Sequence, residues 1–371
     1  MGRVWTADHQ KVGQSGPLGN PRSWPYIGGT MHITLVDDSI PFDGYTASSR
    51  PLGGAEKGFA ALAGALARRG HSVAVFNRCR WSMFIEGAQW ETFEAKKPLM
   101  TDLLIALRKP ELLGFIRQAK RRVLWHTGPG RLLERKSIRA IFDDLKPAVL
   151  LCSETQALDW QARGLKVALL PPALKSDFLA DSDVGPEQPP RAIVTTHPAH
   201  GLSWLVDVWV DKIRPLAPAA ELHIHSTSLA KMAEGGGVDD TLQDLAIKIL
   251  AAKGDGIEVF RPQGDALMAT AYRQSMVHLY PGHPDDSTAF TLMESQACGT
   301  PAVLRPLGAA PGRVVDGSSA YVAPDDDAFA NLAALLLNNA DTRANLGAEA
   351  RALYQGRTWD RAAEKLETLL A

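Results

Sequence analysis

Two carboxylates mark the part of the chain that is best equipped for chemistry. Asp286 and Glu294 lie eight residues apart, in the segment from Tyr280 to Pro301. On one continuous helix, eight steps of about 100° leave two side chains roughly 80° out of phase. They can converge only if Asp286 lies in a loop and Glu294 lies on the helix that follows. Asp, Ser and Thr at positions 286–288 favour an N-cap, so the pattern predicts a helix that begins near Thr288–Phe290.

A helix that begins at this loop suits a ligand with phosphate and sugar groups. Its first backbone N–H groups are unpaired and carry partial positive charge, which favours an anion. A nearby carboxylate accepts hydrogen bonds from sugar hydroxyls, so the combination predicts a nucleotide sugar. The spacing alone favours a plainer interpretation, in which Asp286 only caps the helix and Glu294 lies on a solvated face.

The elements around this segment alternate between strands and helices from Met31 onward. Short apolar strands separated by helical patterns are typical of a parallel sheet with helices on both faces, so we predict an α/β fold. Two such series predict two doubly wound parallel-sheet domains, with the ligand site in the cleft between them. The predicted strands are His32–Asp37, Val73–Asn77, Val123–Trp125, Ala148–Cys152, Lys166–Leu170, Ala192–Thr196, Glu221–His225, Ile257–Phe260, Val277–Tyr280 and Pro301–Leu304, and the predicted helices include Ala55–Arg69, Ala328–Asn339 and Arg361–Leu370.

Shifts in composition divide the chain into segments. Residues 1–30 are rich in Gly, Pro and Ser and lack the apolar core of a signal peptide, so they predict a flexible leader, with an alternative start at Met31. Residues 31–175 carry a net charge of +8 and residues 176–371 one of −11, which predicts different partners for the two halves. The expected segments are a first domain at 31–175, a linker at 176–190, a second domain at 191–355, and a C-terminal helix at 356–371 that packs back toward the first domain.

Composition and motifs also exclude several classes of protein. A net charge of −1 argues against a nucleic-acid binder held by bulk positive charge. The apolar runs fall far short of the roughly 18 residues that span a bilayer. Three widely spaced cysteines exclude a disulfide framework and a zinc ribbon, and they fit a reducing cytoplasm. No Gly-x-Gly-x-x-Gly follows the first strand of either half, which disfavours a dinucleotide-dependent oxidoreductase.

Several motifs together resemble the glycosyltransferases of the GT-B fold, retaining family 4. Asp286-x7-Glu294 followed by Ser-Gln-Ala-Cys-Gly-Thr-Pro301 is similar to the Glu-x7-Glu signature of that family. The likeness covers the chain from Met31 onward, and the order and spacing of the motifs are more specific than any one of them. The other similar motifs are Gly53-Gly-Ala-Glu56, Ala63-Gly-Ala-Leu-Ala-Arg-Arg-Gly-His71, His200-Gly-Leu-x-x-Leu205, Ala219-Ala-Glu-Leu-His223, Gly308-Ala-Ala-Pro311, Val315-Asp-Gly317 and Trp359-Asp-Arg-Ala-Ala363.

The resemblance implies a GT-B architecture, in which two Rossmann-like domains face each other across a cleft, and a hexosyltransferase type of activity. It implies transfer of a sugar from a nucleoside-diphosphate sugar to a saccharide or lipid-linked saccharide, with retention of anomeric configuration. Glu294 would then hold the ribose hydroxyls, and Asp286 would contact the donor sugar. The resemblance also implies that the backbone amides of Thr288, Ala289 and Phe290 contact the diphosphate and sugar. The backbone of Gly53 and Gly54 would approach the donor phosphates. His126 would contact the transferred sugar or the acceptor.

Metal-ligand spacing is not found in the sequence. Because His, Asp and Glu residues nowhere cluster with such spacing, we expect neither a metal nor a cofactor beside the nucleotide-sugar co-substrate.

The sequence departs from the family pattern at two places. His197 and His200 stand where the family commonly carries an Arg and a Lys against the diphosphate, which predicts a weaker and pH-dependent clamp. Asp286 is one methylene shorter than the usual Glu. These differences leave open an altered donor or a non-catalytic nucleotide-sugar-binding or scaffold protein. A nucleotide-sugar epimerase of the same fold is a separate alternative. For His126, a hydrogen-bonded structural role is the alternative.

Basic and apolar residues are interleaved over residues 96–122 of the first domain. Such a basic amphipathic stretch predicts either peripheral contact with the inner face of a membrane, which would suit a lipid-linked acceptor, or an ordinary surface helix whose apolar side enters the core. Pro110 interrupts any long helix there. We therefore expect a cytoplasmic protein, with peripheral membrane attachment as an open alternative.

Overall fold

The computed structural model describes residues 29–370 and contains two β-sheets flanked by helices. All but the last two residues of the predicted leader, 1–30, lie outside the described part of the chain. The predicted α/β class with two Rossmann-like sheets is confirmed.

The first sheet has eight strands, which are β1 (His32–Val36), β2 (Ser72–Asn77), β3 (Met83–Ile85), β4 (Ala88–Thr92), β5 (Met100–Leu107), β6 (Gln118–His126), β7 (Ala148–Leu151) and β8 (Val167–Leu169). Their order is β3-β4-β2-β1-β5-β6-β7-β8, and every neighbouring pair is parallel except the hairpin β3–β4. The order reverses between β1 and β5, so the loops after these two strands open onto one crevice. The helices of this half are α1 (Thr46–Ser49), α2 (Gly54–Arg68), α3 (Lys136–Leu145), α4 (Thr155–Leu158) and α5 (Ser176–Leu179).

The second sheet has six parallel strands, which are β9 (Arg191–Val194), β10 (Glu221–His225), β11 (Ile257–Phe260), β12 (Val277–Tyr280), β13 (Ala302–Leu304) and β14 (Ala320–Val322). Their order, β11-β10-β9-β12-β13-β14, is the Rossmann order with its switch point between β9 and β12. The helices are α6 (Leu202–Val208), α7 (Arg214–Leu216), α8 (Thr227–Ala233), α9 (Gln243–Ala251), α10 (Asp265–Gln274), α11 (Phe290–Ala297), α12 (Asp326–Asn338), α13 (Ala340–Tyr354) and α14 (Trp359–Leu370), with a π-helical turn at Trp209–Ile213.

Burial of both sheet faces explains the parallel architecture. Every residue of β7 and of β12 is buried, as expected for strands that helices cover on both sides.

The last helix, α14, packs with the first domain rather than the second. Trp359 joins the core beneath α2, and its ring meets Trp125 edge-on with the centroids 6.0 Å apart.

The basic segment 96–122 is not a helix, so the expectation of an amphipathic helix there is wrong. It forms strands β5 and β6, joined by a 3₁₀ turn at Pro110–Gly114. Alternate residues explain the difference: Leu103 and Ile105 enter the core on one face of the sheet, and Leu104 enters the core on the other. A strand buried on both faces shows a continuous apolar run, which resembles a helix pattern when it is short.

Among residues 29–370, the structure has no helix with the length and apolar character needed to cross a membrane.

Candidate functional site

A cavity of about 540 Å³ lies between the two domains, at the carboxyl ends of strands beside both switch points. The first domain contributes the loop after β1 and the start of α2. The second domain contributes the loops after β9, β10, β11 and β12. The lining residues used below are Gly53, Gly54, Lys57, His197, His200, Tyr272, Tyr280, Asp286, Thr288, Phe290 and Glu294.

Glu294 lies on α11 with its carboxylate almost fully buried, and its partner comes from the other domain. The Nζ atom of Lys57, on α2, lies 2.9 Å from Glu294 Oε1 and 2.7 Å from Asp265 Oδ1. Lys175, from the segment before α5, approaches the second oxygen of Asp265 at 3.3 Å. Burial alone would lower the pKa of Lys57, but the Glu294 and Asp265 carboxylates outweigh it and raise that pKa. The ammonium is therefore charged at neutral pH.

Asp286 accepts hydrogen bonds from the loop that precedes α11. Its Oδ1 accepts from the backbone N–H of Thr288 at 3.1 Å and of Ala289 at 2.8 Å. Its Oδ2 accepts from the hydroxyl of Tyr280. Two of the amides that the resemblance gives to the donor are thus paired with Asp286 here, as in the plainer capping interpretation. The contacts of Asp286 and of these amides with a donor stay predictions.

Ala289 introduces backbone strain at the start of α11. Its φ of 48° and ψ of 46° place a non-glycine residue in the left-handed region. Such a conformation costs about 1–2 kcal/mol and persists where the surroundings impose it, often at functional sites. The Asp286 carboxylate, bonded to the Ala289 amide, is one of the groups that impose it.

Gly54, the second residue of the glycine pair, packs directly against the second domain. A β-carbon on Gly54 would lie 2.6 Å from Cγ of Phe290, so glycine is required for the close packing of α2 against the start of α11. A β-carbon on Gly53 would lie 2.4 Å from Oε2 of Glu56. Both glycines line the cavity, and their approach to donor phosphates stays a prediction.

Three histidines cluster beside the cavity, and two of them, His200 and His283, are stacked. His200 lies between His283, with ring centroids 4.4 Å apart and an interplanar angle of 14°, and His197, with centroids 5.4 Å apart. Nδ1 of His197 accepts a hydrogen bond from the backbone N–H of Ala199 at 3.2 Å. Nδ1 of His283 accepts one from the backbone N–H of Asp285 at 3.1 Å. Burial and the neighbouring His283 lower the pKa of the His200 ring, so this ring is neutral at pH 7.

His126 ends β6 and is buried, and it is not among the residues that line the cavity. Its Nε2 donates to the carbonyl of Pro129 at 3.0 Å, and burial lowers the pKa of the ring. The structure therefore does not bring His126 together with Asp286 and Glu294, and its contact with a sugar or acceptor stays a prediction.

Sequence reasoning missed four residues that connect the domains or complete the site. Lys57 follows directly after the Gly53–Glu56 motif, so its place on the first turn of a helix facing the cleft was an available signal. His283 lay within the segment already singled out. Arg131 pairs with Asp285 at 2.8 Å across the domains, and buried Arg313 donates to Thr288 O at 3.1 Å and to Cys152 O at 2.7 Å. Nothing in the sequence signals either of these two contacts.

Two Rossmann-like domains that face each other across such a cleft define the GT-B fold. Residues 192–339 match the model of the family described as Glycosyl transferases group 1. The chain has the GT-B fold, and the match to the glycosyltransferase group 1 model lies in its second domain.

A curated relative and two solved structures show how far the similarity extends. The chain is 31% identical over 136 residues to a D-inositol 3-phosphate glycosyltransferase of Saccharomonospora viridis, a match that spans 36% of this chain and only 31% of that protein. Sucrose-phosphate synthase from Thermosynechococcus elongatus superposes with a TM-score of 0.67 at 15% identity, over 90% of this chain and 97% of the other. The Anabaena protein HepE, in complex with UDP and glucose, gives a TM-score of 0.65 at 12% identity, over 91% and 98%. At these identities the structural likeness establishes the fold.

Proposed function

We propose that this protein transfers a sugar from a nucleoside-diphosphate sugar to a saccharide or lipid-linked saccharide, with retention of anomeric configuration and without a metal ion. The donor lies in the cavity between the domains, with its ribose hydroxyls on Glu294. One observation carries the proposal: a buried carboxylate lines the cavity at the facing switch points of a GT-B fold. Open α/β sheets bind their ligands at these points.

The cleft offers stabilisation for the charge that such a reaction develops. Breaking the bond at the anomeric carbon puts negative charge on the departing diphosphate. The start of α11 presents its positive dipole end to the cavity. His197, His200 and His283 lie beside it, and an anion there favours their protonated form. Groups placed in advance around a developing charge lower the barrier to reaction.

The similar proteins support this choice of chemistry. The curated relative is a D-inositol 3-phosphate glycosyltransferase, and the HepE structure holds UDP and glucose. The match to the curated relative covers 136 residues, so the acceptor is not carried over from it. We place the acceptor against the basic first domain.

Replacement of Glu294 by Gln tests the proposal. Titration calorimetry with UDP, GDP and ADP identifies the base, and Glu294→Gln should weaken the tightest of the three at least tenfold, because hydrogen bonds to a charged group contribute about 1.5–3 kcal/mol. Glu258→Gln, at an exposed position on β11, is the matched control and should leave binding unchanged. Unaltered nucleotide affinity in Glu294→Gln would refute the assignment.

A second candidate, a non-catalytic nucleotide-sugar-binding protein, is favoured by one observation. The Asp286 carboxylate is committed to Thr288, Ala289 and Tyr280, which removes it from the donor sugar in this arrangement. Release of free nucleoside diphosphate separates the two functions. Release that depends on a saccharide acceptor supports the transferase, whereas tight binding of the nucleotide sugar without release supports the second candidate.

We also propose that the enzyme is cytoplasmic. Contact of residues 96–122 with the membrane surface is a separate part of the proposal. Lys96 and Lys97 are exposed there, whereas Lys120 is paired with Asp102 at 2.6 Å. Sedimentation with anionic and with neutral vesicles measures the contact. Binding to anionic vesicles that is lost in a Lys96→Gln, Lys97→Gln double variant supports it, and equal recovery with both kinds of vesicle contradicts it.

A further inference from the structure

The carboxylate that the proposed function gives to ribose is neutralised by the other domain. Lys57 belongs to α2 of the first domain, and Glu294 belongs to α11 of the second. Their side chains are 11% and 3% exposed, and the Nζ–Oε1 distance is 2.9 Å. A contact this close, between groups this buried, forms only while the two domains are closed on each other.

The contact is part of a balanced cluster of four charges. Lys57 also meets Asp265 at 2.7 Å, and Lys175 meets the other oxygen of Asp265 at 3.3 Å. Two ammonium groups therefore face two carboxylates. Removing one partner from a buried ion pair is strongly destabilising to the charge that is left, so Glu294 depends on Lys57 to remain ionised.

Lys57 also faces the ligand cavity directly. Among the described residues that line the cavity, it is the one Lys or Arg side chain. A carboxylate offers about four lone-pair sites, so Glu294 can hold Lys57 and still accept hydrogen bonds from two ribose hydroxyls. The ion pair and the ribose contact are thus compatible on one carboxylate.

We propose that Lys57 is a positioning residue for the ribose subsite: its ammonium, supplied by the first domain, keeps Glu294 ionised and aimed at the cavity, so the subsite is complete only in the closed protein. This inference rests on the proposed function and deepens it. It makes recognition of the ribose, which is bound by the second domain, depend on the position of the first domain.

A change in pH dependence distinguishes this role from simple packing. Burial raises the pKa of the Glu294 carboxyl, and the ammonium of Lys57 opposes that rise. Without Lys57 the rise is unopposed, so Glu294 becomes protonated at higher pH and accepts ribose hydroxyls poorly. The other charged or titratable groups around Glu294 are Asp265 and Tyr272 on α10, Lys175 before α5, and Cys298 at the end of α11.

Two nucleotides that differ only in the ribose hydroxyls test the proposal. The probes are UDP and 2′,3′-dideoxy-UDP, or the matching pair for the base selected by the titration above. In the wild type, UDP should bind at least tenfold more tightly. In Lys57→Met the preference should fall to about twofold at pH 7 and return as the pH is raised, whereas the wild type should keep its preference down to a lower pH than the variant. Lys175→Met, which alters the same cluster without touching Glu294, should keep the preference.

Each result decides between named alternatives. A Lys57→Met protein that still prefers UDP tenfold, or that loses affinity for both nucleotides equally, overturns the role of Lys57. Should Lys57→Met fail to fold, Lys57→Gln, which keeps a donor but no charge, is measured in its place with the same expected loss. A wild type that binds both nucleotides equally contradicts the role proposed for Glu294 instead, so the two failures are distinguishable.

Discussion

Gly54 and Phe290 are in contact across the two domains, and the contact leaves no room for a side chain at position 54. A β-carbon there would lie 2.6 to 2.8 Å from three atoms of the Phe290 side chain. Phe290 is the first residue of α11, the helix that carries Glu294, and Gly54 is the first residue of α2, which carries Lys57. The glycine therefore sets how closely the two site-bearing helices approach.

Substitution of Gly54 by Ala should weaken both stability and nucleotide binding. The added methyl group forces Phe290 or the whole of α2 to move, and overpacking of this kind costs typically about 1–3 kcal/mol. Urea denaturation measures the loss of stability, and calorimetry measures the loss of nucleotide affinity. Phe290→Ala in the same background should recover part of both.

The matched control for this prediction is Gly237→Ala, because nothing lies within 4 Å of a β-carbon at that exposed position. It should leave both measurements unchanged. A Gly54→Ala protein with wild-type stability and affinity would show that the domains do not close as described.

Nucleotide binding should be accompanied by proton uptake at His200. Burial and His283 hold the pKa of His200 below its usual value, whereas Asp286 and Asp285 act in the opposite direction, and His197 adds to the lowering. The His200 ring of the free protein is therefore neutral at pH 7, and a bound diphosphate raises its pKa. Because the bound form holds more protons, affinity should rise as the pH is lowered from 8 to 6.

Calorimetry in buffers of different ionisation enthalpy measures the uptake directly. His200→Asn should reduce the number of protons taken up and flatten the pH profile. His32→Asn alters an exposed histidine at the start of β1, in the other domain, and should change neither the number of protons taken up nor the pH profile. Binding with no proton uptake in the wild type would exclude the histidines as a diphosphate clamp.

Replacement of Arg313 by Met should destabilise the protein by about 2–4 kcal/mol, since it leaves the buried carbonyl of Cys152 and the half-buried carbonyl of Thr288 without this donor. These carbonyls belong to different domains, so the arginine stabilises the closed arrangement. Denaturation by urea gives the free energy of unfolding. Arg135→Met, at an exposed position, is the control and should be nearly neutral. Equal stability of the two variants would contradict the bridging role.

The fold could be predicted from the sequence because its strands are short apolar runs between clear breaks. Strands β10, β11 and β12 have the predicted bounds, and α2 differs from its predicted range by one residue at each end. The hairpin β3–β4, strand β14 and helix α13 were not predicted. Residues 96–122 were misassigned, since a strand buried on both faces and a short helix give the same apolar run.

The site could be predicted only as far as local patterns reach. Glu294 and Asp286 belong to one contiguous segment, so their spacing placed one on a helix and the other in the loop before it. The pairing of Lys57 with Glu294 joins residues 237 positions apart, and no spacing encodes such a contact. The contact of His126 with the Pro129 carbonyl is local, but it depends on the path of the loop after β6, which the residue types there do not fix.

A crystal structure with a nucleoside diphosphate bound tests the central claim most directly. We expect the ribose hydroxyls within about 3.2 Å of the Glu294 carboxylate and the diphosphate beside the first turn of α11. A nucleotide bound outside the cleft between the domains, or one whose ribose lies away from Glu294, would contradict it.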